Sequence, residues 1–279
     1  MNAWLTPESP DLVWFRGGDA FQFLDGLISQ DLESMAPGEV RRSLLLAPRG
    51  KLDHLLWVLR DEEDLGLVTD SGRGEELAAT LGRYRIRVDV TIEGESDPVW
   101  LTVGDEGGPG PGTWRRSEGG LEADLSWPGV PRTLVVGPRP QLDPGSTDEY
   151  EALRIAAGES RWGVDVDERT IPQEAGLEEV AVSFTKGCYL GQELVARIDS
   201  RGHVNRLLRI LEFDGEPPVR GEPVIHGDRE VGTVTSVAGG RGLAMIRREV
   251  ADGDEVVVGG VRATVRAIPS KAQTQFTGS

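Results

Sequence analysis

The stretch Thr185-Lys186-Gly187-Cys188-Tyr189-Leu190-Gly191-Gln192-Glu193-Leu194-Val195-Ala196-Arg197 decides how the chain is read, because it joins a glycine-bearing turn to a helical pattern. Leu190, Leu194 and Ile198 recur at helical spacing and define one apolar face. That spacing predicts Cys188 at or near the helix start, where unpaired backbone N–H groups favour negative charge, with Lys186 adding a cation nearby. The thiol then has two readings: a reactive or transiently ligating group, or a buried small hydrophobe, which is how most free cysteines behave. The residues alone do not choose between them.

Upstream, the pattern is one of short strands and helices. Gly18-Asp19 opens a helix with Asp19 as its cap, Gln22 three residues on, and Phe21, Leu24, Leu27 and Ile28 as its apolar face. Pro37-Gly38 marks a turn. Residues 43–47 and 52–59 predict a hairpin around Pro48-Arg49-Gly50-Lys51. A helix over 75–81 precedes Ile86, Val88, Val90 and Ile92, whose alternation with Arg85, Arg87, Asp89 and Thr91 predicts a half-buried strand. Residues 104–112 are so rich in glycine and proline that they predict a mobile surface loop. Thr147 begins a helix that Gly158 is placed to stop in the left-handed conformation.

From Arg206 onward, β-rich segments at 207–213, 223–226, 230–237, 243–247, 255–258 and 261–268 alternate with glycine-rich turns and predict a small antiparallel barrel. The end of the chain, 270–279, reads as a frayed tail. There is no convincing internal repeat and no dinucleotide-binding glycine fingerprint.

Composition narrows the function. With 38% hydrophobic residues, the 279-residue chain can bury a substantial core in two or three packed units. A formal net charge of −17 argues against nonspecific nucleic-acid binding, because phosphate backbones are held mainly by Lys and Arg. The same acidity serves solubility. A single cysteine excludes an internal disulfide, and one thiol with the scattered His54, His203 and His226 is a poor metal cage, so no permanently bound metal is expected. No run of about eighteen apolar residues occurs, and Met1-Asn2-Ala3-Trp4 lacks the basic start and apolar stretch of a secretory signal. The expected location is cytoplasmic, away from membranes.

These segments carry a resemblance. Lys186-Gly187-Cys188-Tyr189-Leu190-Gly191-Gln192-Glu193, followed by Val195-Ala196-Arg197, resembles the signature of the YgfZ-type folate-binding proteins, relatives of the glycine-cleavage T-protein whose mitochondrial members assist iron-sulfur maturation. Arg154-Ile155 with Gly158, Trp162-Gly163-Val164-Asp165, and Ile171-Pro172-Gln173-Glu174-Ala175-Gly176-Leu177 are similar to the preceding family segment. Gly18-Asp19-Ala20 with Phe23-Leu24 resembles the amino-terminal pattern shared with T-proteins. The resemblance touches most of the first 206 residues and, in texture only, the barrel. It implies an α+β fold: a T-protein-like folate-binding body over 1–205, of two intertwined subdomains with mixed or antiparallel sheets, then a C-terminal antiparallel β-barrel over 206–270 and a flexible tail over 271–279.

The resemblance further implies a central opening for a reduced folate, tetrahydrofolate or a one-carbon derivative. Glu174 falls on the glutamate that reads the pterin, a role that suits a carboxylate accepting two parallel hydrogen bonds. On spacing alone it reads as a solvated loop carboxylate. Arg197 and Arg206 are implied to meet the folate glutamate tail, whose carboxylates suit a guanidinium fork, with Lys186 and Tyr189 beside the ligand. Either arginine equally suits plain surface cover.

T-proteins carry paired acids after a glycine-rich turn, and Gly50-Lys51-Leu52-Asp53-His54-Leu55 keeps one of them. Asp53 remains a candidate catalytic group, as a base or as polariser of a folate nitrogen. His54 reads as an ordinary strand-edge histidine. With the acid pair broken and the cysteine segment present, the implied function is assembly or maintenance of iron-sulfur enzymes, including tRNA-modifying ones, with Cys188 essential. Its partners would be those enzymes or other assembly proteins, with no direct nucleic-acid contact. Two alternatives stay open: a tetrahydrofolate-dependent aminomethyltransferase, and a noncatalytic scaffold for an iron-sulfur or RNA-modifying partner.

Overall fold

Leu52, His54, Leu56 and Val58 are buried while Asp53, Leu55 and Trp57 between them are half-buried, the period-two pattern of a strand covered more fully on one face. The computed structural model describes residues 3–104, 107–117 and 119–269, and divides the chain into two compact units. One unit is Met1–Gly145 with Val180–Gln192, and the other is Ser146–Glu179 with Glu193–Ser279. The expected tail therefore lies outside the described residues.

The strands of the first unit are β1 (Trp4–Leu5), β2 (Asp11–Arg16), β3 (Val40–Leu46), β4 (Leu52–Arg60), β5 (Leu65–Thr69), β6 (Thr91–Gly94), β7 (Val99–Val103), β8 (Trp114–Ser117), β9 (Gly120–Asp124) and β10 (Arg132–Val136). They form two five-stranded antiparallel sheets, ordered β3-β4-β5-β2-β6 and β1-β7-β10-β9-β8. Leu12, Trp14, Leu59 and Val68 of one sheet pack with Leu101, Leu121 and Leu134 of the other. The opposite face of the first sheet, with Phe15, Leu56, Val58 and Leu67, is covered by α1 (Ala20–Asp25) and α2 (Gly74–Gly82) through Leu24, Leu77 and Leu81.

The second unit holds α3 (Thr147–Ala156), a 3-10 turn at Pro172–Glu174, and the strands β11 (Arg206–Phe213), β12 (Pro223–His226), β13 (Arg229–Ala238), β14 (Arg241–Arg247), β15 (Glu255–Val258) and β16 (Val261–Arg266). The chain changes unit within α4 (Glu178–Ala181) and again within α5 (Gln192–Arg201). The six strands close into the expected barrel, in the order β11-β14-β13-β12-β15-β16, around Leu211, Val224, Ile246 and Val265. Closure leaves no free strand edge. The helix expected from Thr147 is present, capped by Ser146, and Gly158 ends it with φ +68°.

Two local expectations are corrected. The strand predicted over 86–92 forms only from Thr91, because Arg87 adopts φ +56° and Ile86 is 72% exposed. The Arg85 guanidinium instead closes that segment as a loop by donating to the Val90 carbonyl at 3.1 Å. Asp19 does precede α1, but its carboxylate accepts from the Asp89 N–H at 2.7 Å rather than capping the helix. In the glycine-rich loop, Asp105 and Glu106 lie outside the described residues, while the Gly112 N–H donates to Asp124 at 2.6 Å and anchors the far end.

Candidate functional site

The loop that carries Cys188 belongs to the first unit and is fastened at three places. The Ser183 N–H donates to the Ser29 carbonyl at 2.9 Å, and Ser29 Oγ donates to the Ala181 carbonyl at 2.6 Å. Lys186 Nζ, on a side chain only 2% exposed, lies 2.7 Å from Asp25 O, 3.0 Å from Asp25 Oδ1, 3.1 Å from Ile28 O and 2.8 Å from Gln30 O. Gly191 has φ +78°, and a Cβ there would stand 2.5 Å from the Ala47 carbonyl oxygen, so the turn seats directly on the β3–β4 hairpin and admits only glycine.

Cys188 is a free, exposed thiol on this loop. The buried-hydrophobe reading is therefore set aside. The expectation of a thiol at a helix start is also corrected: α5 begins at Gln192, four positions later, and the Lys186 ammonium is held by backbone and carboxylate oxygens of the α1 region. Tyr189 next to it is buried, and burial pushes its phenol up to about 12. Its ring lies 5.6 Å from Lys186 Nζ, and its N–H donates to Gln192 Oε1 at 3.1 Å.

Asp53 and His54 also lie in the first unit, on the interior strand β4. His54 is wholly buried opposite Leu45 of β3, which corrects the strand-edge reading. Its Nδ1 is 3.2 Å from Asp53 Oδ1 without hydrogen-bond geometry, and its Nε2 has no hydrogen-bond partner. The His54 imidazole, with the Arg73 and Arg83 guanidinium groups, holds the Asp53 carboxyl below the ordinary carboxylate range despite partial burial. A carboxylate so stabilised is a weak base at neutral pH, and its chemistry is that of a fixed negative charge. Asp53, His54 and Glu76 bring one imidazole nitrogen and two carboxylates within 4.8 Å of one another, a set able to ligate a divalent ion. Arg73 competes for it, donating to Glu76 Oε2 from Nε at 3.1 Å and Nη2 at 2.9 Å.

A substitution tests the His54 contact. His54→Leu fills the same apolar sheet face and removes the unpaired Nε2, so stability is expected within about 1 kcal/mol of the parent by urea denaturation. The Asp53 carboxyl should titrate closer to its ordinary value by NMR. In the parent its depressed pKa contributes stability above the ordinary carboxylate range, which is lost as pH falls through the folded-state value, and the variant should lose less there. A loss of stability well above 2 kcal/mol would mean that Nε2 is engaged after all.

The remaining candidates lie in the second unit. Glu174 is 6% exposed on the 3-10 turn. Its Oε1 accepts from Arg206 Nε at 2.8 Å, and its Oε2 accepts from the Ile171 N–H at 2.9 Å. Two of the residues assigned to the folate thus bond each other, and each Glu174 oxygen already accepts a hydrogen bond. Arg206 also borders a cavity of about 780 Å³ whose wall carries Arg169, Arg220, Arg247 and Arg248 together with the acids Asp165, Asp167, Glu230 and Glu249. Arg169 there pairs with Asp167 and Arg206 with Glu174, and Arg220, Arg247 and Arg248 are the further guanidinium groups suited to carboxylates. Arg197 is exposed on α5. Sequence reasoning missed Glu178: burial and the neighbouring Glu179 and Asp199 carboxylates push it up to about 7. No motif marks it, because the shift comes from packing.

Two antiparallel sheets followed in sequence by a closed six-stranded barrel make the fold that of an aminomethyltransferase-like protein. The crystal structure of glycine cleavage system aminomethyltransferase T from Bartonella henselae matches it with a TM-score of 0.83 over 97% of this chain and 87% of that one, at 19% identity. Within that fold, residues 205–272 match the family model described as the CAF17 C-terminal beta-barrel domain. The mitochondrial iron-sulfur cluster assembly factor IBA57 homolog of Cryptococcus neoformans is 28% identical over 241 residues, covering 71% of this chain and 64% of that protein. The chain thus spans a little under two thirds of that relative. An aminomethyltransferase of Rubrobacter xylanophilus is 26% identical over 300 residues, 92% of this chain and 79% of the relative.

The cytoplasmic expectation does not stand, because the Cryptococcus relative is named a mitochondrial protein. What the structure adds is narrower: no helix among the described residues is long and apolar enough to cross a membrane.

Proposed function

We propose that this chain supports the assembly or maintenance of iron-sulfur enzymes, including those that modify tRNA, through the Cys188 thiol. The observation that carries this reading is an exposed sulfur on a loop whose every neighbouring anchor is buried or bonded, at Ser183, Lys186 and Gly191. A thiol held out on a rigid base is suited to transient ligation or exchange, because the reacting atom is accessible while its support is fixed. The likeness to assembly factors named for iron-sulfur clusters supports the same reading. A reduced folate, tetrahydrofolate or a one-carbon derivative, is the proposed ligand. Its glutamate-tail carboxylates are assigned to Arg206 and the arginines of the adjoining cavity, and its pterin to Glu174, whose oxygens keep acceptor capacity beyond the Arg206 and Ile171 donors.

In a strain lacking this gene, the parent chain should restore iron-sulfur enzyme activity, and Cys188→Ala should restore it about tenfold less well at equal protein level. Full rescue by Cys188→Ala removes the thiol from the function. Calorimetry with tetrahydrofolate tests the ligand separately, and absence of binding removes it. Aminomethyl transfer is the weaker reading because Asp53 is a poor base and its neighbour is a buried histidine.

A further inference from the structure

A second cavity in the second unit, of about 540 Å³, lies against α4, α5 and the start of β11. Its wall combines Gln173, Glu178, Asp199 and His203 with the apolar Ile198, Val204 and Leu207, and is completed by Arg248 and Glu249. Two acceptor oxygens there are buried and lack a hydrogen-bond partner: Glu178 Oε2 and Gln173 Oε1. Gln173 is 7% exposed, and its amide is oriented by Nε2 donating to the Val195 carbonyl at 2.9 Å, which leaves Oε1 as the free acceptor. Buried acceptors without donors cost stability, and a site that keeps two of them on one cavity is built for something that donates. Three carboxylates, on Glu178, Asp199 and Glu249, face one guanidinium, on Arg248, so the cavity favours a positive occupant.

We propose that this cavity binds an organic cation with N–H donors on an apolar body, an amidinium or protonated amine, held by Glu178 and Gln173 and flanked by Ile198, Val204 and Leu207. An amidinium offers parallel N–H groups to a carboxylate, the pairing that makes charge-assisted contacts strong and directional. Its flat apolar body covers the aliphatic wall. This site stands apart from the folate reading and does not depend on it.

The carboxyl of Glu178 sets a pH dependence. Burial, with Glu179 and Asp199 as like charges, raises it to about 7, while His203, Arg248 and Glu249 are the other charged or titratable groups of the wall. A cation is held by the ionised form, so binding strengthens as pH rises through that value and weakens as it falls.

Isothermal titration of the full chain with benzamidine at pH 8 and pH 6 tests the proposal. One site should bind at pH 8, and affinity should fall about tenfold at pH 6, the ratio of ionised carboxyl at the two values for a group titrating near 7. Glu178→Gln, which keeps shape and removes charge, should weaken binding at pH 8 at least about tenfold and abolish the pH dependence. Benzoate, with the charge reversed, should not bind. The folding control has a definite sign: ionisation of Glu178 above its ordinary 4.5 costs folding stability as pH rises through about 7, so Glu178→Gln should be more stable than the parent at pH 8. No binding by the parent, equal binding by Glu178→Gln, or pH-independent binding by the parent would each overturn the site.

Discussion

Arg154→Met is expected to destabilise the protein by about 3–5 kcal/mol, because it strands a carboxylate inside the second unit. The side chains of Arg154 and Asp165 are 3% and 0% exposed, and Nη1 lies 2.7 Å from Asp165 Oδ2. The same guanidinium donates to the Glu159 carbonyl at 3.1 Å and to Ser236 Oγ at 2.7 Å, and pairs with Glu151 on its own helix. Asp165 in turn accepts from Thr235, from Ser236 at 2.7 Å and from the Arg161 N–H at 3.0 Å. One ion pair therefore ties α3, the 161–165 segment and β13 of the barrel. Methionine fills the volume but donates nothing, so the anion loses its partner while staying buried. Arg154→Lys should recover only part of the loss, since one ammonium cannot replace a fork that serves four acceptors. Urea denaturation reads the effect, and a loss below about 1 kcal/mol would show that solvent reaches Asp165.

That pair shows what kind of information the family-like segments contained. Arg154, Gly158 and Asp165 stood out in the sequence as parts of a resemblance. The structure gives them architectural work: an ion pair, and a glycine whose left-handed turn ends α3. The barrel was legible because each strand is bounded by a glycine-rich turn and carries its own apolar alternation, both local properties. The 86–92 strand was misread for the complementary reason. Alternation of apolar residues signals a strand only where the backbone stays extended, and the left-handed Arg87 leaves no mark in composition. At the site, Cys188 was singled out correctly as the lone thiol, but its exposure and its distance from α5 depend on where the Lys186 side chain anchors, across more than 150 residues of sequence. Glu178 and the Glu174–Arg206 pairing are tertiary facts of the same sort, set by what packs around a carboxylate rather than by which residues flank it.

Lys186→Met is the second large effect, and it separates the support of the thiol from the thiol itself. The ammonium donates to Asp25 Oδ1, which also accepts from the Leu32 N–H at 3.2 Å, and to the carbonyl oxygens of Asp25, Ile28 and Gln30, which end or follow α1. Removing it leaves the Asp25 carboxylate with the Leu32 N–H alone and takes a donor from three carbonyls. Because Asp25 keeps 20% exposure, water recovers part of the loss, and the expected cost sits near about 3 kcal/mol rather than at the upper end for a buried pair. The loop should also open locally, with amide hydrogen exchange at 183–192 accelerating more than in the β3–β4 hairpin beneath it. Cys188→Ala, by contrast, deletes an exposed atom and should change stability by less than about 0.5 kcal/mol while leaving exchange untouched. If Lys186→Met kept parental stability and loop protection yet lost iron-sulfur enzyme support, the lysine would have to act on a ligand or partner directly. If it lost all three together while Cys188→Ala lost only the last, the division stands: the lysine builds the platform and the sulfur acts from it.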